Sequence, residues 1–197
     1  MLRSRNKMIS VSAGFYILIA VYLLIIPFRW VAAWLLASVA HELGHCVALR
    51  ICKVNIFSFY ITPSGAKIQT EPMTPGCEAF AAMSGPLSGM LLLLFARYCP
   101  RVAICAIVQS AFNLLPIYPW DGGRVFRFVI ESFFPGGAAI RICNWTETIV
   151  LILLFAFAYV FSAYVHLGLV PFIVWLIILL KSGKIKIPCK DRKLIVQ

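Results

Sequence analysis

Long stretches without a charged residue constrain the fold of this chain more than any other feature of its sequence. Residues 8–28, 79–96, 102–120 and 148–180 contain no charged side chain. A helix needs about 20 apolar residues to cross the hydrocarbon core of a bilayer. Hydrophobic residues make up 62% of the chain and its mean hydropathy is +0.93, well above the values of soluble domains. The sequence therefore predicts a membrane protein built from transmembrane helices.

The apolar runs predict an all-α polytopic membrane protein with six transmembrane helices. The run 148–180 is too long for one crossing, and Gly168 and Pro171 favour a turn within it. The expected boundaries, all within a single domain over 1–197, are approximately 8–28, 30–49, 79–96, 102–120, 147–165 and 168–181, with a basic cytosolic tail over 182–197. A signal peptide over residues 1–28 is the alternative, but the run is long for that role and lacks a small-residue cleavage site.

Lys and Arg are concentrated in the gaps between the apolar runs, and they predict the orientation. With a cytosolic N-terminus and six crossings, all but Arg29, Arg97 and Arg101 of the 18 basic residues fall on the cytosolic side. We therefore expect a multi-pass protein of a bacterial cell membrane with both termini in the cytosol. The net charge of +11 also predicts contacts with anionic lipids. Because the charges lie in short gaps, we do not expect nucleic acid as a partner.

Two of the gaps between the apolar runs have sequence patterns that predict secondary structure. Residues 54–70 are rich in β-branched and aromatic side chains and are interrupted by Pro63-Ser64-Gly65, which predicts a small membrane-associated β-hairpin. Residues 122–134 place Arg124, Arg127 and Glu131 on one helical face and apolar residues on the other. This pattern is typical of a short helix in the membrane interface.

The seven cysteines are odd in number and contain no C-x-x-C pair. Cys46 and Cys105 lie inside apolar runs, where a free cysteine behaves as a small hydrophobic residue. We therefore expect neither a disulfide framework nor a zinc ribbon.

Two histidines and a glutamate interrupt the second predicted span, residues 30–49. His41-Glu42-Leu43-Gly44-His45 matches the pattern H-E-x-x-H. Positions i and i+4 share one face of a helix, so the two imidazoles can bind one Zn²⁺ at ~2.0–2.1 Å. The intervening Glu42 suits the general base of a hydrolytic reaction. Ionisable groups inside a membrane are costly, which favours a functional site over polar residues that merely pack between helices.

A catalytic zinc usually has three protein ligands, and Asp121 is the favoured third. His45 and His41 lie ~8 Å and ~14 Å along the helix from its predicted cytosolic end. Asp121 follows the apolar run 102–120, which ends on the same side and brings it to a similar depth. We therefore expect one zinc ion per chain, bound by His41, His45 and Asp121.

Other polar residues are weaker candidates for the site. Glu71 and Glu78 compete for the third ligand position, but they lie in or beside the hairpin loop. His166 falls at the opposite membrane surface, where a polar side chain is ordinary. Asn113 is a lone amide within an apolar run. It either binds a backbone group of a substrate or bonds a neighbouring helix.

These motifs together resemble those of the site-2 protease family of intramembrane zinc metalloproteases. The resemblance rests on HELGH at 41–45, on NLLPIYPWDGG at 113–123 and on SGPLSG at 84–89. The second stretch is similar to the family pattern N-x-x-P-x-x-P-x-D-G, and the third is similar to a Gly-Pro motif of the family's third span. Trp120 stands where Leu is usual and Ser88 where Asn is common.

The resemblance implies an activity as well as a fold. It implies His41, His45 and Asp121 as zinc ligands, Glu42 as the general base, and hydrolysis of peptide bonds at membrane depth. With no room for an appended soluble domain, the chain is most similar to a compact branch of the family. That branch includes a sporulation protease that releases a membrane-tethered sigma factor.

The interpretation as an intramembrane protease predicts the partners, and it leaves one alternative function. We expect a membrane-associated protein substrate, with inhibitory membrane proteins as further partners. A zinc-binding pseudoprotease that only holds a partner is the alternative, although the intact Glu42 argues against it. A metal transporter would need polar groups across the whole membrane, and these runs carry few on their far side.

Overall fold

The computed structural model describes residues 8–63, 65–165 and 175–179. These residues are mostly helical. They fall into two compact units, Met1–Leu114 and Leu115–Gln197. The first unit contains the H-E-x-x-H motif and the second contains Asp121, so the local structure that positions each of them is described in turn.

The described helices of the first unit are α1 (Ala13–Ile25), α2 (Phe28–Ile51), α3 (Pro75–Leu91) and α4 (Pro100–Asn113). A short 3₁₀ helix (Leu92–Phe95) follows α3 directly. Proline has no N–H to lose in a first turn, and α3 and α4 both begin at a proline. The Thr74 side chain caps α3 by accepting a hydrogen bond from the backbone N–H of Cys77. Helices α2, α3 and α4 pack against one another pairwise.

Small residues fill the contacts between these helices, whereas large apolar side chains point away from them. The buried side chains include alanines on all three helices, such as Ala37, Ala82 and Ala106. Leu36 and Leu43 on α2 are 59% and 57% exposed. Close helix approach through small residues, with leucine outside, is the packing typical of a lipid environment. The pattern supports a membrane location.

The predicted hairpin is present, and a third strand joins it. Strands β2 (Ile56–Thr62) and β3 (Gly65–Thr70) pair antiparallel, with Phe59 opposite Ile68. Strand β1 (Met8–Val11) pairs parallel with β2, so the strand order is β1-β2-β3. Ile56 and Ile68 pack against the buried Ala48 and Leu49, which anchors the sheet to the end of α2.

The second unit contains α5 (Asp121–Phe133) and α6 (Gly136–Val165), and residues 175–179 are also helical. Helix α5 has the amphipathic pattern expected of 122–134. On its polar face Arg127 donates a hydrogen bond to Glu131 at 2.7 Å, which raises the pKa of Arg127. Ile117, Leu151 and Ile178 form a buried cluster in this unit.

The largest differences between the helix boundaries and the predicted spans occur in three places. Met8–Val11, the beginning of the predicted span 8–28, is a strand. The helix within 102–120 ends at Asn113, because Pro116 and Pro119 follow and cannot continue it. Helix α6 begins at Gly136 rather than at 147. Glycines and Arg141 are typical of a loop, yet here they form the first turns of a helix.

Three of the described helices are long and apolar enough to cross a membrane: Phe28–Ile51, Pro75–Phe95 and Gly136–Tyr164. Helices α1 and α4 have 13 and 14 residues, which reach only ~20 Å, short of the ~30 Å hydrocarbon core. The count of six spans therefore stays a prediction. Most of the predicted span 168–181 and the whole tail 182–197 lie outside the described residues.

Candidate metal centre

The two histidines of the H-E-x-x-H motif face each other on α2. Their Nε2 atoms are 3.2 Å apart, and the rings are nearly perpendicular with centroids 4.8 Å apart. Two nitrogens bound to one tetrahedral zinc at ~2.0–2.1 Å would be about 3.3–3.4 Å apart. The pair therefore already has the separation that a shared zinc ion requires.

A backbone carbonyl on α3 fixes the orientation of His45. The Nδ1 atom of His45 is 2.7 Å from the Ala81 carbonyl oxygen, which can only accept, so Nδ1–H donates. The proton on Nδ1 leaves a lone pair on Nε2, the atom that faces His41. Outer hydrogen bonds of this kind hold metal-binding histidines in one tautomer. His41 itself is only 4% exposed.

Two glycines allow α2 and α3 to approach closely around the histidine pair. A Cβ atom on Gly85 would collide with the Cε1 and Nε2 atoms of His45 and would lie 3.0 Å from Cε1 of His41. A Cβ atom on Gly44, within the motif itself, would collide with the Ser84 carbonyl oxygen and lie 2.8 Å from the Cβ of Ser88. The backbone of α3 thus forms one wall of the metal centre.

Serine hydroxyls reinforce this packing. Ser88 Oγ is 2.8 Å from the Ala40 carbonyl oxygen on α2 and 2.7 Å from that of Gly85. Ser110 Oγ on α4 donates to the Pro86 carbonyl oxygen at 3.1 Å. The serine that stands where the family usually has asparagine therefore connects two helices in this chain.

The structure places Asn113 at the last residue of α4, beside the metal centre. Its Nδ2 atom is 3.4 Å from Nε2 of His41. The sequence left open a bond to a neighbouring helix or a contact with substrate, and this geometry agrees with the first. The substrate-binding role stays a prediction.

Asp121 is the first residue of α5, and Gly122 and Gly123 follow it. The backbone of the preceding loop leaves no space for a side chain at Gly123. A Cβ atom on Gly123 would lie 2.5 Å from the Ile117 carbonyl oxygen and 2.6 Å from the backbone nitrogen of Tyr118. Trp120 packs against the buried cluster of Ile117 and its neighbours. The tight loop before α5 fixes the backbone from which the Asp121 side chain extends.

His41 and His45 each offer a ring nitrogen and Asp121 offers a carboxylate oxygen as a possible metal ligand. His41 is buried and the other two are partly buried. Two imidazole nitrogens and one carboxylate oxygen form a donor set found in catalytic zinc sites, which keep a fourth position open. The three residues therefore fit zinc binding, in agreement with the sequence analysis.

The remaining acidic candidates have different surroundings. Glu42 lies within one turn of both histidines on α2 and is partly buried. Glu71 accepts hydrogen bonds from Asn55 Nδ2 at 3.0 and 3.1 Å. Within the described ranges, neither Glu71 nor Glu78 joins the group around the histidines. His166 lies outside the described residues.

Comparisons with known proteins identify a zinc metalloprotease, a site-2 protease and a sporulation protein as similar to this chain. No profile of a known protein family matches the chain. A zinc metalloprotease of Methanocaldococcus jannaschii is 24% identical over 120 residues, which are 52% of this chain and 35% of the relative. Stage IV sporulation protein FB of Bacillus subtilis is 27% identical over 146 residues, which are 59% of this chain and 50% of the relative.

A solved structure shows the same fold. The structure of a site-2 protease from Methanocaldococcus jannaschii matches 100% of this chain and 98% of its own, with a TM-score of 0.62 and 18% sequence identity. The chain therefore shares the fold of a site-2 protease, and the curated relatives support the resemblance to that family. Its match to the curated relatives spans about a third of the length of one and half of the other.

Sequence reasoning missed two parts of this candidate metal centre. One is the Ala81 carbonyl that orients His45, because a backbone atom leaves no trace in residue type. The other is Gly85, whose missing side chain makes room for the imidazoles. Gly85 lies in the stretch SGPLSG, which the sequence analysis singled out, but the motif alone did not reveal that this glycine faces the histidines.

Proposed function

We propose that this chain is an intramembrane zinc metalloprotease that hydrolyses peptide bonds of membrane-associated proteins near the cytosolic face. The observation that carries the proposal is the histidine pair, with Nε2 atoms 3.2 Å apart and the His45 ring oriented by a carbonyl 2.7 Å from Nδ1. This separation of the two Nε2 atoms is close to the one that two nitrogen ligands of a single zinc ion require.

One zinc ion per chain would be held by His41, His45 and Asp121. When bound, zinc supplies Lewis-acid activation of water and of the scissile carbonyl group. The chain contributes the rest: Ala81 keeps the proton of His45 on Nδ1, and Gly85 leaves room for both rings. Substitution of Asp121 by Asn should weaken zinc binding, since a neutral amide is a poorer ligand than a carboxylate.

Glu42 acts as the general base. It follows His41 directly on α2, so its side chain leaves the helix ~100° away from the histidine face and remains available for proton transfer. Its carboxylate would take a proton from the attacking water and deliver it to the nitrogen of the leaving amine. A positioned general base contributes ~10²–10⁴-fold to the rate.

The small sheet offers a surface for an unwound substrate. A helical peptide bond has its carbonyl occupied by a backbone N–H, so cleavage requires local unwinding. Strand β2 has neighbours on both sides, whereas β3 has a single neighbour among the described strands. An extended segment can pair with such an edge. Because Ile68 of β3 packs against the end of α2, a segment on this edge would lie beside the helix that carries the motif.

One relative supports a proposal for the biological role. The name of the Bacillus relative points to sporulation, and we propose release of a transcription factor or sigma factor from the membrane as the outcome of cleavage. Six spans, cytosolic termini and inhibitory membrane proteins are part of this proposal. Cysteine labelling at Lys67 and Arg97 tests the topology, because the six-span arrangement puts these two positions on opposite sides.

The decisive experiment compares Glu42→Gln with wild type and with Glu71→Gln. The full-length proteins are co-expressed with tagged candidate membrane substrates, then purified for zinc analysis. Glu42→Gln should keep zinc and lose nearly all cleavage. Glu71→Gln is the matched control, because it makes the same chemical change in a carboxylate that is hydrogen-bonded to Asn55, and it should keep both.

Two outcomes contradict the proposal. If Glu42→Gln cleaves at a near-normal rate with full zinc, Glu42 is not the base. If wild type holds zinc but cleaves no substrate that a related protease cleaves in the same assay, the chain is a pseudoprotease that binds partners.

A further inference from the structure

Helices α2 and α3 contact each other along a regular antiparallel seam. Moving one turn towards the C-terminus of α2 moves the contact one turn towards the N-terminus of α3. The successive contacts are Ala40 with Ser88, Gly44 with Ser84, and Ala48 with Ala81. One further turn in each direction leads to Cys52 on α2 and Cys77 on α3. The register therefore places the two thiols opposite each other.

The pKa of Cys52 agrees with this register, since a side-chain hydrogen bond with Cys77, together with burial, raises it. Both residues are free cysteines that are partly buried. The register brings the two thiols together although 24 residues of sequence, including β2 and β3, separate them.

Small molecules can reach this pair. Cys52 caps the C-terminus of α2, and Cys77 lies in the first turn of α3, so both are at the end of the seam. Their neighbours Lys53 and Gly76 are exposed, and a Cβ atom added at Gly76 would meet nothing within 4 Å. The N-terminus of α3 favours the thiolate form of Cys77, which is the form that oxidants attack.

We propose that Cys52 and Cys77 are a redox-modification site that forms a reversible disulfide when exposed to a peroxide. Hydrogen peroxide oxidises one thiol to a sulfenic acid and leaves as water. The second thiol attacks that sulfur, the S–S bond forms, and a second water leaves. Two thiols thus lose two hydrogens in total, and a low-molecular-weight thiol reverses the reaction by exchange.

The bond would act on the metal centre through the seam. His45 lies seven residues from Cys52, which is ~10 Å along α2, so the bond touches no ligand. It would instead hold α2 against the α3 backbone that contributes the Ala81 carbonyl and the Gly85 gap. We expect slower loss of zinc from the oxidised protein. This consequence, unlike the bond itself, rests on the proposed function.

The test uses the purified full chain in detergent. After brief treatment with hydrogen peroxide, free thiols are alkylated and the digest is analysed by mass spectrometry. The expected result is a Cys52–Cys77 cross-linked peptide as the main oxidised species, lost on treatment with dithiothreitol. Cys46→Ser, a change on the same helix, should leave this peptide intact, and Cys52→Ser should abolish it. Alkylation of both thiols after oxidation, or random pairing among the cysteines, would overturn the site.

A second readout tests the consequence. Zinc release to EDTA is timed for oxidised and reduced protein, and oxidation should slow it several-fold in wild type and in Cys46→Ser but not in Cys52→Ser. Bond formation with unchanged zinc release overturns the stabilising role. Because the cross-link is scored without any protease assay, its failure is distinguishable from failure of the proposed function. The Glu42→Gln protein should form the same bond.

Discussion

The two sides of helix α2 differ sharply in how they are packed. Towards α3 the helix backbones meet through Gly44 and Gly85, with no room for another methyl group. Towards α4 the helix lines a cavity of about 440 Å³, whose walls include Trp30, Trp34 and Phe112. The histidines contact the tight side through Gly85, and Asn113 lines the cavity while its Nδ2 atom lies 3.4 Å from Nε2 of His41.

The difference corresponds to two requirements of the proposed metalloprotease. Metal ligands need a fixed geometry, which dense packing supplies because neighbouring atoms leave each ring one position. A substrate needs space, which bulky side chains around a cavity supply. Substitutions on the α3 side of α2 should therefore affect zinc and stability, and those of cavity-lining residues that do not contact the histidines should affect them little.

The largest effect is expected from the ligands themselves. The double variant His41→Ala with His45→Ala should lose essentially all zinc, because one carboxylate cannot hold the ion alone. Metal analysis of the purified protein gives the answer. Gln109→Ala, on the cavity side, is the control and should retain the zinc. Equal zinc content in both variants would mean that the metal binds elsewhere.

The next effect should come from filling the gap between α2 and α3. Gly85→Ala places a methyl group where the His45 ring lies, so we expect zinc affinity to fall about 10–100-fold. Gly76→Ala makes the same change in the same helix where no atom lies within 4 Å, and it should leave affinity unchanged. Competition with a fluorescent chelator measures both. Similar affinities for the two variants would contradict a tight seam.

A smaller effect is expected for Ser88→Ala, which removes the hydroxyl that contacts the carbonyls of α2 and α3. The loss should destabilise the fold by about 1 kcal/mol. Ser132→Ala on α5 also removes a hydroxyl hydrogen bond, to Phe128 at 2.8 Å, but in an exposed position. Its thermal unfolding in detergent should match that of wild type, and an equal shift for both serines would argue against the role assigned to Ser88.

The smallest effect is expected on the loose side. Ser38 Oγ contacts the Trp34 carbonyl at 2.9 Å and Gln109 Oε1 at 3.2 Å. Ser38→Ala should cost about 0.5 kcal/mol, as is usual for hydrogen bonds between membrane helices. Zinc content should not change. Loss of zinc in this variant would show that the cavity side also positions the ligands.

Local sequence determined the elements whose signal is contained within a few residues. The helix around His41 and His45 follows from a long apolar run, and the hairpin follows from β-branched residues on either side of Pro63-Ser64-Gly65. The spacing of four residues was enough to predict that the imidazoles share a face, because helical geometry is the same everywhere.

Only the tertiary structure decided the features that depend on partners distant in the chain. Met8–Val11 is as apolar as the helix that follows it, and it becomes a strand because β2 is available to pair with it. The Ala81 carbonyl and the gap at Gly85 act on the histidines only because α3 packs against α2 in one register. The same register brings Cys52 to Cys77. The chemical type of a side chain can be predicted from the sequence. The backbone atoms that contact that side chain are determined by how the helices pack.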